Sequence, residues 1–336
     1  MNPLSPLTPL PPFNFSQLSQ ISLADGEIPR PILLSLLNIS SDQLLSLLNA
    51  AFTVRLAHHG RKVQIQALSN AKSGLCSEDC HYCSQSCVSQ AQVARYPLKA
   101  VETLLAEAKK AAELGAARFC MGLSGRELAD REIDVLCLFL EQARAAFKLD
   151  ICCSLGFLSL EQARRLKQAG LGRVNHNLNT SRNYYPFICT SHSYEQRVEN
   201  IKICQAAGLE ICCGGIVGQG ESQEDVLDML LALRELKPSS IPLNFLIPVP
   251  GTPFANLNTG LTPSYCLKVL AVARLIHPRP DIRVAGGREF NLRSLQPLAL
   301  YAANSIFVNG YLTANGQGAN NDLAMIEDLG FSAFQE

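Results

Sequence analysis

Neither sign of charge is in excess in this chain: 29 lysines and arginines face 29 aspartates and glutamates across 336 residues, a formal net charge of zero. That balance gives no electrostatic footprint for a nucleic-acid partner. No apolar run reaches the roughly 20 residues that a bilayer-spanning helix needs. Residues 1–15 hold proline and leucine but no arginine and no basic stretch followed by an apolar core, so they read neither as a secretory signal nor as a transit peptide. Tryptophan is absent, which excludes little, and no internal repeat is visible. These absences point to a cytoplasmic chain with neither nucleic acid nor membrane as partner.

Against them stands one abundance, 13 cysteines. In a chain of this length without a signal, metal or redox chemistry explains them better than a disulfide framework. Three fall within Cys76-Ser77-Glu78-Asp79-Cys80-His81-Tyr82-Cys83, at the spacing C-x3-C-x2-C. Thiolates are soft ligands that suit iron–sulfur clusters or zinc. A structural zinc takes a fourth protein ligand, for which His81 and Cys87 are the candidates. A cubane on three thiolates instead leaves one iron open to a small molecule.

Around this stretch the chain changes character. Residues 1 to about 30 read as a poorly structured leader, since Pro3, Pro6, Pro9, Pro11 and Pro12 forbid a regular helix. Residues 40–58 read as a helix, with Leu44, Leu45, Leu47, Leu48 and Phe52 packed on something larger. From Val63 onward, predicted strands near 63–68, 118–121, 150–154, 173–177, 209–215, 241–246, 282–285 and 305–308 alternate with helices. Those helices lie near 98–114, 132–147, 159–170, 193–208, 222–238, from 262, 290–303 and 322–329, with capping boxes opening at Ser159 and Ser193. Strict alternation favours a parallel sheet, because parallel strands need crossover helices. Eight units favour an α/β fold closed as a (β/α)8 TIM-type barrel over an open doubly wound sheet. The expected domains are a leader with a helical extension at 1–58 and the barrel at 59–336. The cysteine loop then follows the first strand, at the end of the barrel where active sites lie.

Strands buried on both faces usually run in Val, Ile and Leu. Here they carry Cys120, Cys152, Cys153, Asn175, His176, Asn177, Cys212, Cys213, Asn244 and Arg283. Unpaired buried amides and guanidinium groups are costly, so a polar-lined central cavity is expected. Neighbouring strand residues point to opposite faces, so one of Cys152 and Cys153, and one of Cys212 and Cys213, faces inward. Alternation alone does not choose between them.

With Tyr82 before its last cysteine, the loop resembles the signature of radical S-adenosylmethionine enzymes. That resemblance implies a 4Fe-4S cluster on Cys76, Cys80 and Cys83, with S-adenosylmethionine on the open iron. Further stretches narrow it: Arg118-Phe119-Cys120-Met121-Gly122, Asn175-His176-Asn177-Leu178, Gly214-Gly215-Ile216-Val217-Gly218, Gly251-Thr252-Pro253, Ala285-Gly286-Gly287-Arg288-Glu289 and Asn304-Ser305-Ile306-Phe307. Together they resemble the biotin synthase family from about Val63 to Phe331.

The resemblance implies sulfur insertion into dethiobiotin and a second, 2Fe-2S cluster on Cys120, Cys152, Cys212 and Arg283. It implies S-adenosylmethionine contacts from Tyr82, Asn177, Asn179, Arg197 and Ile216. It also implies substrate contacts from Asn175, Asn244, Lys72 and Thr313, an electron donor of flavodoxin or ferredoxin type, and a homodimer. The sequence departs from the family pattern in three ways. Asn179 stands where the family usually has an acidic residue, Ala314 follows Thr313, and Cys87, Cys153, Cys189 and Cys213 are additional thiols that either pack or alter the second cluster. Packing is the expectation for Cys189 and Cys213. Two other readings compete: a related radical enzyme of maturase or mutase type acting on another small molecule, and a zinc-stabilised scaffold.

Overall fold

The structure, a computed structural model, describes residues 13–74, 76–312 and 316–334. Three helices come first: α1 (Phe15–Leu23), α2 (Arg30–Leu37) and α3 (Leu44–His59). Strands and helices then alternate. In chain order they are β1 (Lys62–Lys72), α4 (Val101–Glu113), β2 (Arg118–Leu123), α5 (Asp130–Ala146), β3 (Asp150–Ser154), α6 (Leu160–Ala169), β4 (Arg173–Asn175) and α7 (Tyr194–Ala206). They continue as β5 (Glu210–Cys212), β6 (Gly215–Val217), α8 (Gln223–Leu236), β7 (Ser240–Phe245), α9 (Pro263–Ile276) and β8 (Asp281–Val284). The last elements are α10 (Arg288–Leu292), β9 (Ser305–Phe307), α11 (Ala319–Asp328) and β10 (Ser332–Phe334).

Local sequence explains many of the boundaries. Ser159, Ser193 and Ser222 each accept a hydrogen bond from the third residue of the following helix, whose side chain returns to the cap backbone. Thr262 caps α9 with Pro263 in its first turn, where a missing N–H costs nothing. Gly170 closes α6 at φ 110°, a conformation open to glycine.

All strand pairings in the sheet are parallel, in the order β1-β2-β3-β4-β5-β7-β8-β9, and β9 returns to β1 through Ile65↔Ile306. The barrel is therefore closed by eight strand positions, as the alternation predicts. Its outer layer of Leu, Ile, Val and Ala lies between strands and helices, while a separate inner cluster holds Cys120, Cys152, Cys212, Ala285 and Phe307.

The structure corrects the sequence reading in five places. Residues 15–23, assigned to the leader, form a helix whose start Asn14 caps by accepting from Gln17 N at 3.1 Å. Its many Ser and Gln hide the apolar periodicity, and packing on α3 supplies what propensity does not. Residues 30–37 form a second helix not anticipated, packed on α8 and α9. The fifth predicted strand is broken into β5 and β6, because Gly214 passes so close to β7 that a Cβ there would sit 1.9 Å from the Pro242 carbonyl oxygen. The helix predicted over 290–303 is one short α turn followed by a 3-10 run, Arg293–Tyr301, with Pro297 inside it. Finally, β10 adds an unpredicted strand beside the start of β1.

The N-terminal helices lie against α9, and Arg55 ties them to the barrel. Its Nε donates to Ala303 O at 3.1 Å, its Nη2 to Lys62 O at 2.9 Å, and its guanidinium covers the Phe331 ring at 4.5 Å. Among the described residues no single helix is long and apolar enough to cross a membrane.

Candidate active site

A cavity of about 360 Å³ opens at the C-terminal ends of the strands, within the size range of small-molecule sites. Its roof is the segment between β1 and α4. An antiparallel bridge between Ser73 and Tyr96 closes the base of that segment, with both backbone hydrogen bonds at 3.1 Å. Inside it, Cys83 N donates to Cys80 O at 3.1 Å, and Gln85 N donates to the Cys83 sulfur at 3.4 Å. Cys76, Cys80 and Cys83 all line the cavity.

Two carboxylates pin the roof to residues 188–192. Asp79 accepts from Thr190 N and Ser191 N, each at 3.0 Å, and His81 N donates to Ile188 O at 2.9 Å. Burial opposes ionisation of Asp79, but hydrogen bonds from Thr190, Ser191 and Cys189 outweigh it and hold its carboxyl well below the usual range. Glu78 accepts from Ser191 Oγ at 2.8 Å, from Arg126 Nη1 at 3.3 Å and from His192 Nδ1.

Burial raises the Cys76 thiol and pushes Cys83 up to about 11. Bare, these sulfurs are neutral thiols; a bound metal reverses that and takes them as thiolates. Among the described residues, neither the three roof sulfurs nor those of Cys120, Cys152 and Cys212 crowd within 4.8 Å of one another. Cys152 nonetheless stands within hydrogen-bonding reach of both Cys120 and Cys212. Among the described residues, neither His81 nor Cys87 joins the roof thiols in a group of ligand atoms within 4.8 Å of one another; His81 Nδ1 meets Phe187 O at 3.0 Å and Cys87 is exposed.

Below the roof the walls become polar. Asn179 sits at φ 72°, a conformation that asparagine tolerates, and its Nδ2 donates to Tyr82 Oη at 2.7 Å. Asn177 Oδ1 accepts from Gly214 N and from Asn175 Nδ2, both at 3.0 Å. Arg197 donates through Nη1 to Asn177 O at 3.1 Å and through Nε to Tyr185 Oη. Arg197 lines the cavity, and among the described residues its partners are the Asn177 carbonyl and the Tyr185 hydroxyl, not a carboxylate. Ile216 also lines the cavity. Asn244 is positioned by Gly215 O at 3.0 Å and Gly286 N at 2.8 Å, which uses one donor and one acceptor site and leaves one of each.

The floor is made by strand register. Cys120 lies opposite Cys152 across β2 and β3, and Cys212 opposite Asn175 across β4 and β5. This decides what alternation left open: Cys152 and Cys212 belong to the inner cluster, while Cys153 and Cys213 pack in the outer layer, away from it. Neither outward thiol is placed to alter a cluster on the floor.

Arg283 reaches Ser240 Oγ at 3.1 Å and Ser305 Oγ at 3.5 Å, with Nη1 3.9 Å from the Cys212 sulfur. Its guanidinium lies 4.7 Å over the Phe307 ring. Burial lowers its proton affinity, yet the neighbouring thiols Cys212, Cys120 and Cys152 outweigh that and keep it cationic. Gln66 accepts from Cys120 Sγ at 3.3 Å, and Asn175 Nδ2 donates to Cys212 Sγ at 3.3 Å. Three soft donors beside a fixed cation fit an anionic iron–sulfur group.

Two expected substrate residues stand apart. Lys72 is not among the lining residues, and its ammonium pairs with Glu132 at 2.8 Å. Thr313, with Ala314 beside it, lies outside the described residues. Sequence reasoning missed Gln66, Ser240 and Ser305, which hold the floor; their signal was again polarity in buried strands. It also missed that Cys189 lies 3.8 Å from Cys80, sulfur to sulfur, where packing was expected.

Comparisons with known proteins identify the relatives of this chain. Residues 72–233 match the family model of the Radical SAM superfamily, and residues 242–332 match that of the Biotin and Thiamin Synthesis associated domain. A biotin synthase of Geobacillus thermodenitrificans is 47% identical over 95% of this chain and 96% of its own length. That of Bacillus subtilis is 46% identical over 94% of each. Among solved structures, methylornithine synthase superposes with a TM-score of 0.78 at 18% identity, covering 95% of this chain and 97% of its own. A FeFe-hydrogenase maturase from Carboxydothermus hydrogenoformans does so with 0.80 at 18%, covering 94% and 78%. These last two establish the fold alone.

Proposed function

The chain belongs to the biotin synthase family of radical S-adenosylmethionine enzymes, which insert sulfur into dethiobiotin to form biotin, and on that premise we propose a division of labour between the roof and the floor of the barrel. Cys76, Cys80 and Cys83 hold the 4Fe-4S cluster that the family implies. Cys120, Cys152 and Cys212, with Arg283, hold a second, 2Fe-2S cluster. When bound, the first supplies the electron that splits S-adenosylmethionine to a 5′-deoxyadenosyl radical, and the second is the sulfur-donating substrate.

The chain's own side chains then orient and enclose. Arg197 pairs with the carboxylate of S-adenosylmethionine. Asn177 and Asn179 meet its ribose, Tyr82 backs the Asn179 contact, and Ile216 lies against the adenine. Asn175 and Asn244 each offer amide groups to the ureido ring of dethiobiotin, an uncharged group with both donors and acceptors. Lys72, adding a second carboxylate to its pair with Glu132, and Thr313 take the acid tail. The apolar part of the wall excludes water from the radical.

We propose further that the reductant is of flavodoxin or ferredoxin type, that the protein is a homodimer, and that it works in the cytoplasm, where 13 free cysteines stay reduced. The observation that carries the reading is the floor: three thiols and a cation converge beneath a separate three-thiol roof. The test is anaerobic reconstitution with iron and sulfide, then assay of 5′-deoxyadenosine and biotin. Formation of both, dependent on Cys76, Cys80 and Cys83, supports it. Biotin formed without those cysteines sinks it.

A further inference from the structure

Cys189 is not needed by either proposed cluster, yet it is among the most constrained thiols in the molecule. It is 2% exposed, and its sulfur lies 3.8 Å from Cys80 Sγ and 3.1 Å from Asp79 Oδ1. His192 completes the group, its Nδ1 and Nε2 being 3.3 and 3.8 Å from the Cys189 sulfur. Ligand atoms of Cys80, Cys189 and His192 all fall within 4.8 Å of one another. Two thiolates on one tetrahedral zinc, each about 2.3 Å from it, lie about 3.8 Å apart, and a thiolate and an imidazole about 3.5 Å apart. The sulfur–sulfur separation is that of a single tetrahedral ion, and the 3.8 Å from the Cys189 sulfur to Nε2 is within a few tenths of an ångström of it.

The surroundings are also those of a built metal site. Glu78 takes Nδ1 of His192, which turns Nε2 into the available lone pair and completes a carboxylate–histidine–metal arrangement. The imidazole is held edge-on by Phe157 and Tyr185, with centroids 5.3 and 6.0 Å away. Asp79 anchors the backbone of residues 190 and 191, so Cys189 and His192 are placed before any metal arrives.

We propose that Cys80, Cys189 and His192 form a mononuclear site for a soft divalent cation of the zinc class, filled in cluster-free protein and exclusive with the roof cluster. Binding releases the two thiol protons to solvent, with no change in oxidation state. A fourth, non-protein position takes water. Exclusion follows from placement: both uses draw on the one Cys80 sulfur, which here lies 3.8 Å from Cys189 and, among the described residues, outside any tight group with Cys76 and Cys83. Only this exclusivity rests on the reading of Cys80 as a cluster ligand; the site itself does not.

Cobalt(II), a spectroscopic stand-in for zinc, tests the site in anaerobic, cluster-free, full-length protein. A Cys76→Ser/Cys83→Ser double variant is expected to bind one cobalt with thiolate-to-metal absorption and tetrahedral d–d bands, displaced by one equivalent of zinc. Adding Cys189→Ser should abolish those bands, and Glu78→Gln, which spares every ligand, should weaken zinc about ten-fold. Loss of the bands in the double variant, or their persistence without Cys189, overturns the site. Circular dichroism of each variant separates loss of a ligand from loss of fold. Preloading wild-type protein with one zinc should slow cluster assembly at least about ten-fold relative to Cys189→Ser. Equal rates overturn the exclusivity while leaving the site standing, and failure of any cluster to assemble on Cys76, Cys80 and Cys83 counts against the functional reading instead.

Discussion

The roof and the floor of the cavity hold their thiols by different means. Cys76, Cys80 and Cys83 sit close together in sequence, on irregular backbone, and what keeps them in place is side-chain chemistry: Asp79 on the amides of residues 190 and 191, and Glu78 on Ser191, Arg126 and His192. Cys120, Cys152 and Cys212 sit on β2, β3 and β5, and what keeps them in place is barrel register. Their charges are balanced differently as well. The floor has Arg283 against its sulfurs and Arg118 close enough for Cys120 and Cys152 to raise its proton affinity against burial. The roof has carboxylates and a histidine beside it, with Arg197 as the cation acting on Cys80. A loop closed by polar contacts depends on a few side chains, whereas thiols on strands are held by the backbone register of the whole barrel.

The contrast breaks most sharply on activity. Alanine at Cys76, Cys80 or Cys83 should take both 5′-deoxyadenosine and biotin to background. Alanine at Cys120, Cys152 or Arg283 should take only biotin there and leave cleavage of S-adenosylmethionine within a few-fold of wild type, both read by mass spectrometry. A floor variant that loses cleavage as well would show that the two thiol sets do not act separately.

A smaller but still large effect is expected where the floor depends on backbone geometry. Gly214→Ala drives a Cβ into the Pro242 carbonyl at the break between β5 and β6. It should cost upward of about 3 kcal/mol in urea unfolding. An unchanged midpoint would mean that the strand break is soft.

The roof is tested by Asp79→Asn, which weakens charge-assisted hydrogen bonds to Thr190 and Ser191 and should cost about 1–3 kcal/mol at pH 7. The sign of its pH dependence follows from the depressed carboxyl. The contribution is fully present above the ordinary value of 3.8 and is lost as the pH falls toward the lower folded value. Wild-type urea midpoints should therefore fall below about pH 4 more steeply than those of Asp79→Asn; parallel profiles would remove Asp79 as the clamp. The smallest effect is at Ser240→Ala, which removes one of two hydroxyls aligning Arg283 and should cost about 1 kcal/mol, with no loss of cleavage of S-adenosylmethionine.

Much of this was legible from residues close together in the chain. The C-x3-C-x2-C spacing marks the roof because all three thiols lie on one loop. Helix starts at Ser159, Ser193 and Thr262 are readable because capping is a contact over three residues. The first two helices were obscured by Ser, Gln and Pro, and the fifth strand was read as continuous because the proximity of Gly214 to Pro242 is visible only across strands.

Sequence by itself thus determined the alternating units, their closure into a barrel, and a set of thiols and amides too polar for an ordinary core, since each of these is a local or periodic property. Tertiary structure alone decided which member of each cysteine pair faces inward, because a period of two distinguishes faces without saying which one is the interior. It also decided that Cys189, 109 residues from Cys80, comes to lie against it, because contacts at that separation depend on how the whole barrel closes.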